Sequence, residues 1–252
     1  MPNKLDKKIL FFDIETAPLK IWSWGVWQTD AVAVDSDWYM LSFSAKWLDG
    51  GFTTKGLPDY ASYKTDKTND RELISELHQL MSEADIIIGH NGDNFDIKKT
   101  NERIIYHGLT PPEPYKTIDT LKIAKKYFKF TKNNLNYICE RLGIGSKHET
   151  GGKDLWLKCI DGDMGSWKKM LSYNKQDVVL LEALYYKLRS WIHNHPVMTT
   201  LNNQCIRCGS SSVQARGRAD KKNWHRYRCN DCGSWYQKKN TQELLNRITI
   251  HL

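Results

Sequence analysis

Asp13 and Glu15 stand two residues apart at the end of the apolar run Ile9-Leu10-Phe11-Phe12. On a strand both carboxylates leave one face while Ile14 enters the other. Each acid raises the cost of ionising its neighbour, and a divalent cation removes that cost, so the pair suggests metal-assisted chemistry. Two solvated turn acids are the plain alternative, and further acids are needed to set it aside. Asp96 lies near the start of a helix, where an acid is also an ordinary helix-start residue. Asp177 lies inside a long helix on the same face as Tyr173, four residues earlier, although beside Lys175 it also reads as a surface acid.

A second cluster uses softer donors. Cys205, Cys208, Cys229 and Cys232 read C-x2-C, twenty residues, C-x2-C. That is the spacing of a tetrahedral four-cysteine zinc site. Cys139 and Cys159 are scattered and read as core thiols.

The elements that must position these groups follow from periodicity. Strands are expected at 8–16, 38–48 and 52–57, the last two separated by Asp49-Gly50-Gly51, giving an antiparallel three-strand start. Asn69 and Glu72 resemble a capping box, and Leu73, Leu77, Leu80 and Met81 then repeat at helical spacing over 70–83. A short buried strand follows at 85–89. Helices are expected at 96–107 and 119–128, on either side of Pro111-Pro112-Glu113-Pro114, and at 135–142. The glycine-rich stretch 143–152 reads as a loop, and a long amphipathic helix runs from Ser166 to about Trp191. Trp22, Trp24 and Trp27 precede the second strand; such a cluster is more often core, with covering the active-site edge or clamping an end base as the alternatives, and no role is assigned to it. The expected domains are 1–196, a polar linker 197–204, the four-cysteine unit 205–240 and a tail 241–252.

Taken together, Asp13-x-Glu15, Gly89 to Asp96 with Asn91, Phe95 and Asp96, and Tyr173-x3-Asp177 resemble the three exonuclease motifs of the DEDD superfamily, in its tyrosine subclass. The resemblance covers nearly all of residues 8–192. It is nearest to the proofreading domains of family B DNA polymerases and their stand-alone relatives. The histidine subclass would place His where this chain has Ser172. The resemblance implies an α/β fold, a ribonuclease H-like mixed five-stranded sheet flanked by helices. It also implies two-metal phosphodiester hydrolysis releasing nucleoside 5′-monophosphates from a 3′ end.

In that mechanism Asp13, Glu15 and Asp177 hold one Mg2+ or Mn2+, and Asp13 bridges to a second ion supported by Asp96, about 3.5 to 4 Å away. Tyr173 orients the attacking water, because an ordinary tyrosine pKa of about 10 makes it a poor base. Thr16, Asn91 and Phe95 are implied contacts to the terminal nucleotides. They read equally as a strand-end hydroxyl, a turn amide and a core aromatic, and one residue can serve both ends.

The segment around the four cysteines resembles a zinc ribbon holding one Zn2+, with Gly209 and Gly233 completing two knuckles. Between the knuckles, Arg216, Arg218, Lys221, Lys222, Arg226 and Arg228 interleave with Trp224 and Tyr227, the mixture that meets phosphates and stacks on bases. A protein-docking ribbon is the alternative.

The charge is uneven in the same way. Residues 202–240 carry 9 basic and 2 acidic side chains, whereas 1–201 carry 27 and 26. With 252 residues and 40% hydrophobic content the chain is neither disordered nor fibrous. No apolar run approaches the roughly 18 residues of a membrane span, and the apolar start is cut by Asp13, too early for a signal peptide. The protein is expected to act inside the cell, in the cytoplasm or as a virus-encoded protein. It is too short to carry a polymerase, so proofreading would make it a separate subunit with a replication or repair partner. DNA is the expected substrate. A 3′–5′ exoribonuclease and a nucleic-acid-binding adaptor with a vestigial nuclease domain stay open as alternatives.

Overall fold

In a computed structural model, residues 7–27, 30–48, 50–146, 152–199, 201, 203–220 and 223–239 are described. Asp49, Lys221, Lys222 and the tail 241–252 lie outside the described residues. The elements are β1 (Ile9–Thr16), β2 (Lys20–Trp22), β3 (Ala33–Ser36), β4 (Met40–Trp47), β5 (Phe52–Gly56), α1 (Arg71–Glu83), β6 (Ile86–Gly89), α2 (Asp96–Tyr106), β7 (Lys116–Asp119), α3 (Thr120–Tyr127), α4 (Leu135–Arg141), α5 (Asp154–Asp161) and α6 (Met164–Leu188). Three further strands follow: β8 (Val213–Arg218), β9 (Trp224–Cys229) and β10 (Trp235–Lys239). The chain divides into two compact units, one of Lys8–Leu184 and a second that groups Met1–Lys7 with Tyr185–Leu252.

In the first unit a mixed sheet runs in the order β5-β4-β1-β6-β7. β1 is central, antiparallel to β4 and parallel to β6, which is parallel to β7. A central strand is covered on both faces, and Ile9 to Phe12 are accordingly all buried. Only at its last residues, where Asp13, Glu15 and Thr16 are half-buried, does β1 open toward solvent.

Helix α1 turns Leu73, Ile74, Leu77 and Met81 into the core, where they meet Phe12, Met40, Leu41 and Phe43 of the sheet and Trp167 and Met170 of α6. Each such side chain contributes about 1.5–3 kcal/mol by leaving water. Asp70, just before α1, is fully buried and accepts hydrogen bonds from the Met40 N–H (2.8 Å), from Arg103 (2.8 and 2.6 Å) and from His107 Nε2 (2.6 Å). This network ties α1, α2 and the start of β4 together and leaves no bare buried charge. The expected capping box does not form. Asp70 is the N-cap residue, and Glu72 turns away to accept from the Ser62 N–H (3.2 Å).

Several elements depart from the sequence reading. The fifth strand is β7, hidden behind the proline-rich break because only Ile118 and Asp119 of its four residues are buried. The helix read as 119–128 starts at Thr120, with Asp119 capping it. Helix α5 occupies part of a stretch that carried no expected element. The tryptophans read as core are exposed instead: Trp22 by 64%, Trp24 by 85% and Trp27 by 96%. The chain around them forms the β2–β3 hairpin, a separate two-stranded ribbon.

In the second unit, β8, β9 and β10 form an antiparallel sheet in the order β10-β9-β8. The cluster beneath this sheet is small: Cys205, Cys229 and Tyr236, with Ile206, Cys208, Val213, Tyr227 and Cys232 packed against them. Met198 and Thr199, within the stretch read as a linker, are buried, and the Met198 N–H donates to the Ile206 carbonyl (2.8 Å). Arg207 donates to the carbonyls of Ile192 and His193, and the Tyr185 hydroxyl meets His195 Nε2 (2.7 Å). Among the described residues no helix is long and apolar enough to cross a membrane.

Candidate functional site

The solvent-facing end of β1 lies beside small residues of β4: Asp13 is opposite Ser44 and Glu15 opposite Ser42. Into that end α6 brings Tyr173, Asn174 and Asp177. Carboxylate oxygens of Asp13, Glu15 and Asp177 all lie within 4.8 Å of one another, with Asp177 buried and the other two half-buried. Three like charges this close disfavour joint ionisation in the absence of a cation.

The acids are held by neighbours that the motif spacing did not reveal. Asn174 is fully buried, and its amide donates to Asp13 Oδ2 (2.7 Å) and to the Asp13 carbonyl (3.1 Å) while accepting from the Ser42 hydroxyl (3.2 Å). One side chain thereby fixes the Asp13 carboxylate against both β1 and β4. The indole N–H of Trp156, on α5, donates to Glu15 Oε2 (3.2 Å), and its ring meets Tyr173 edge-on with centroids 6.0 Å apart. A buried amide and a half-buried indole need polar partners, and here each donates to an acid of the cluster.

Asp96 opens α2 and is nearly fully buried, and its Oδ1 accepts the Ile14 N–H (3.1 Å). It therefore sits against β1 between Asp13 and Glu15, outside the three-acid group. Burial pushes its carboxyl up to about 7, and the charges of Asp119 and Asp177 push the same way against the pull of the Ile14 N–H.

The loop before Asp96 is set by tight geometry. A Cβ on Gly89 would come within 2.9 Å of the Gly92 Cα, and Asn91 adopts a left-handed φ of 69°. Asp119 holds the loop by accepting from the Asn91 N–H (3.0 Å), and also caps α3 through the Leu121 N–H (2.9 Å). An acid at the N-cap position of the helix that starts at Thr120 was the available signal for Asp119. Phe95 is 38% exposed, with the Lys99 ammonium 5.5 Å from its ring centroid. Thr16 is half-buried at a register irregularity where β1 leaves β4.

In the second unit the sulfurs of Cys205, Cys208, Cys229 and Cys232 all lie within 4.8 Å of one another. Sγ–Sγ distances are 3.7 Å for Cys205–Cys232 and 3.7 Å for Cys208–Cys229. Gly209 and Gly233 have φ of 73° and 70°, and each donates its N–H back to a cysteine carbonyl, Cys205 and Cys229 respectively. The two halves thus repeat one knuckle. Arg216, Arg218, Arg226 and Arg228 are exposed and Trp224 is partly exposed.

The donor sets differ in kind. Three carboxylates suit a hard divalent cation, and four thiolates suit a soft, tetrahedral one.

A model of the RNase_H superfamily matches residues 10–189. The chain is 29% identical over 107 residues to a PolC-type DNA polymerase III of Ureaplasma parvum, a match spanning 42% of this chain and 7% of that protein. It also resembles the structure of the family B DNA polymerase of the hyperthermophilic archaeon Pyrobaculum calidifontis, with a TM-score of 0.55 and 18% identity, over 72% of this chain and 24% of that one.

Proposed function

The chain belongs to the RNase H superfamily, and from that premise we propose that it is a 3′–5′ exonuclease of the DEDD tyrosine subclass that releases nucleoside 5′-monophosphates from DNA. The observation that supports this most is the meeting of Asp13, Glu15 and Asp177, from the first strand and the last helix of the unit, within 4.8 Å. Bound Mg2+ or Mn2+ would supply an activated water and charge stabilisation of the leaving oxygen.

The chain's own groups do the rest. Asp13, Glu15 and Asp177 offer the ligand oxygens, and Asp96, against Ile14, supports a second position. Asn174 and Trp156 fix the carboxylates of Asp13 and Glu15, so little reorganisation is needed when the substrate arrives. Tyr173, one turn before Asp177, orients the attacking water by hydrogen bonding. Thr16, Asn91 and Phe95 receive the terminal nucleotide.

The four-cysteine unit, residues 205–240, is read as a zinc ribbon that helps hold nucleic acid. A tetrahedral site with Zn–S bonds of about 2.3 Å has sulfur–sulfur edges of about 3.8 Å, and both measured pairs are 3.7 Å. The two names among the relatives, both DNA polymerases, favour DNA over RNA as substrate.

The test uses 3′- and 5′-labelled single-stranded DNA, duplex DNA and RNA, with Mg2+, Mn2+ or EDTA. Wild type shortens DNA from its 3′ end, and Asp13→Ala lowers the rate by about 10^3-fold or more, since a metal contributes several kcal/mol to such a reaction. Preference for RNA would make the protein an exoribonuclease instead. Binding without turnover would make it an adaptor.

A further inference from the structure

The strand register of the second unit sorts its side chains onto two faces. Gln214, Arg228 and Trp235 lie side by side across the three strands, Arg226 is opposite Gln237, and Trp224 is opposite Lys239. Directly paired residues share a face, and alternate residues along a strand return to it. One face therefore carries Trp224, Arg226, Arg228, Trp235, Gln237 and Lys239.

The other face is the core side, where Tyr227 stacks on Tyr236 with ring centroids 5.5 Å apart and both pack against the cysteines. Arg218 pairs with His225 and belongs to that side's rows.

The open face has a consistent chemistry. Arg226, Arg228 and Lys239 are exposed, no acid lies in its rows, and neither Arg226 nor Arg228 has a carboxylate partner among the described residues. Trp235 is 54% exposed beside Arg228, a large indole left in water where a neighbouring cation could add to any ring stacked on it. Arg226 and Arg228, two residues apart on a strand and on the same face, are separated by about 6.8 Å.

We propose that this sheet face is a docking surface for single-stranded DNA, with phosphates on Arg226, Arg228 and Lys239 and an unpaired base on Trp235. The inference rests on DNA being the chain's substrate. Stacking selects a single strand, because paired bases offer no free π-face to an indole on a flat sheet.

The test is anisotropy of labelled oligo(dT) on the full chain carrying Asp13→Ala, which prevents hydrolysis. Trp235→Ala weakens binding about tenfold and Trp235→Phe restores most of it. The pair Arg226→Ala and Arg228→Ala weakens binding and lowers the slope of log affinity against log salt by about 1.4, which is about 0.7 for each phosphate that is no longer neutralised. Metal content and far-UV circular dichroism of each variant establish that the ribbon is still folded.

Unchanged affinity in folded variants overturns the proposal, and so does tighter binding of the Asp13→Ala chain to duplex DNA or RNA than to oligo(dT). Failure of the exonuclease reading would show separately, as DNA left intact by wild type while the face variants still lose binding. Failure of the docking surface would leave nucleotide release in place.

Discussion

The two units hold their candidate metal ligands in opposite ways. In Lys8–Leu184 the core is aliphatic and aromatic, built from β1, β4, α1 and α6, and the acids sit at its rim where β1 runs out of cover. Beneath the β8–β10 sheet, two of the four candidate ligands, Cys205 and Cys229, are themselves the buried cluster, with Tyr236 beside them. A rim site is added to a finished fold. A cluster of cysteines under a three-stranded sheet would be finished by an ion, because so small a sheet buries too little apolar surface to offset chain entropy.

The largest expected effect follows directly. A chelator strong enough to strip thiolate-bound metal should unfold the β8–β10 sheet of the second unit, since structural zinc contributes about 10 kcal/mol or more in small zinc domains. The first unit should keep its amide protection while losing nucleotide release. Hydrogen exchange read separately over the two units measures this, and equal loss of protection in both would erase the contrast.

A smaller effect concerns the rim alone. Asn174→Ala should lower Mn2+ affinity or turnover by about 10- to 100-fold, the usual cost of losing a group that orients a metal ligand. Calorimetric titration of Mn2+ separates this from general damage. Unaltered affinity and rate would mean that Asp13 keeps its orientation without the amide.

The smallest effect is in pH, and its sign differs between the units. In metal-free protein, burial has pushed Asp96 up to about 7. Between pH 7 and 4 the folded first unit then binds a proton that the unfolded chain does not, so acidification stabilises that unit. Burial, with Arg207 and Arg189 nearby, has pushed His195 down to about 4. Over pH 6.5 to 4 the unfolded chain takes up a proton that the folded second unit refuses, so acidification destabilises it. Asp96→Asn and His195→Gln should each flatten the pH dependence of exchange in their own unit. Parallel slopes in variant and wild type would remove these groups from the account.

Much of this was legible in the residue order. β1, β4, β5, β6 and the helices α1, α2 and α6 announce themselves by period, and Asp13, Glu15 and Asp177 by their odd placement on otherwise apolar elements. β7 escaped because half of it is exposed and its four residues show no alternation. Asn174 escaped because an amide has no meaning until Asp13, 161 residues away, is beside it. Glu72 misled because the helix is entered at Asp70 and the Ser62 N–H takes its carboxylate. The tryptophans of the β2–β3 hairpin misled because burial statistics for indoles describe cores and not projecting ribbons.

That hairpin gives the molecule an intrinsic optical probe. Of the ten tryptophans, Trp167 is buried within the protein, whereas Trp24 and Trp27 stand 85% and 96% open to water. Their emission should lie to the red and yield to iodide quenching, while the interior indole stays blue and protected. Anything that settles over the ribbon would then be visible as a blue shift with loss of quenching, without attaching a dye.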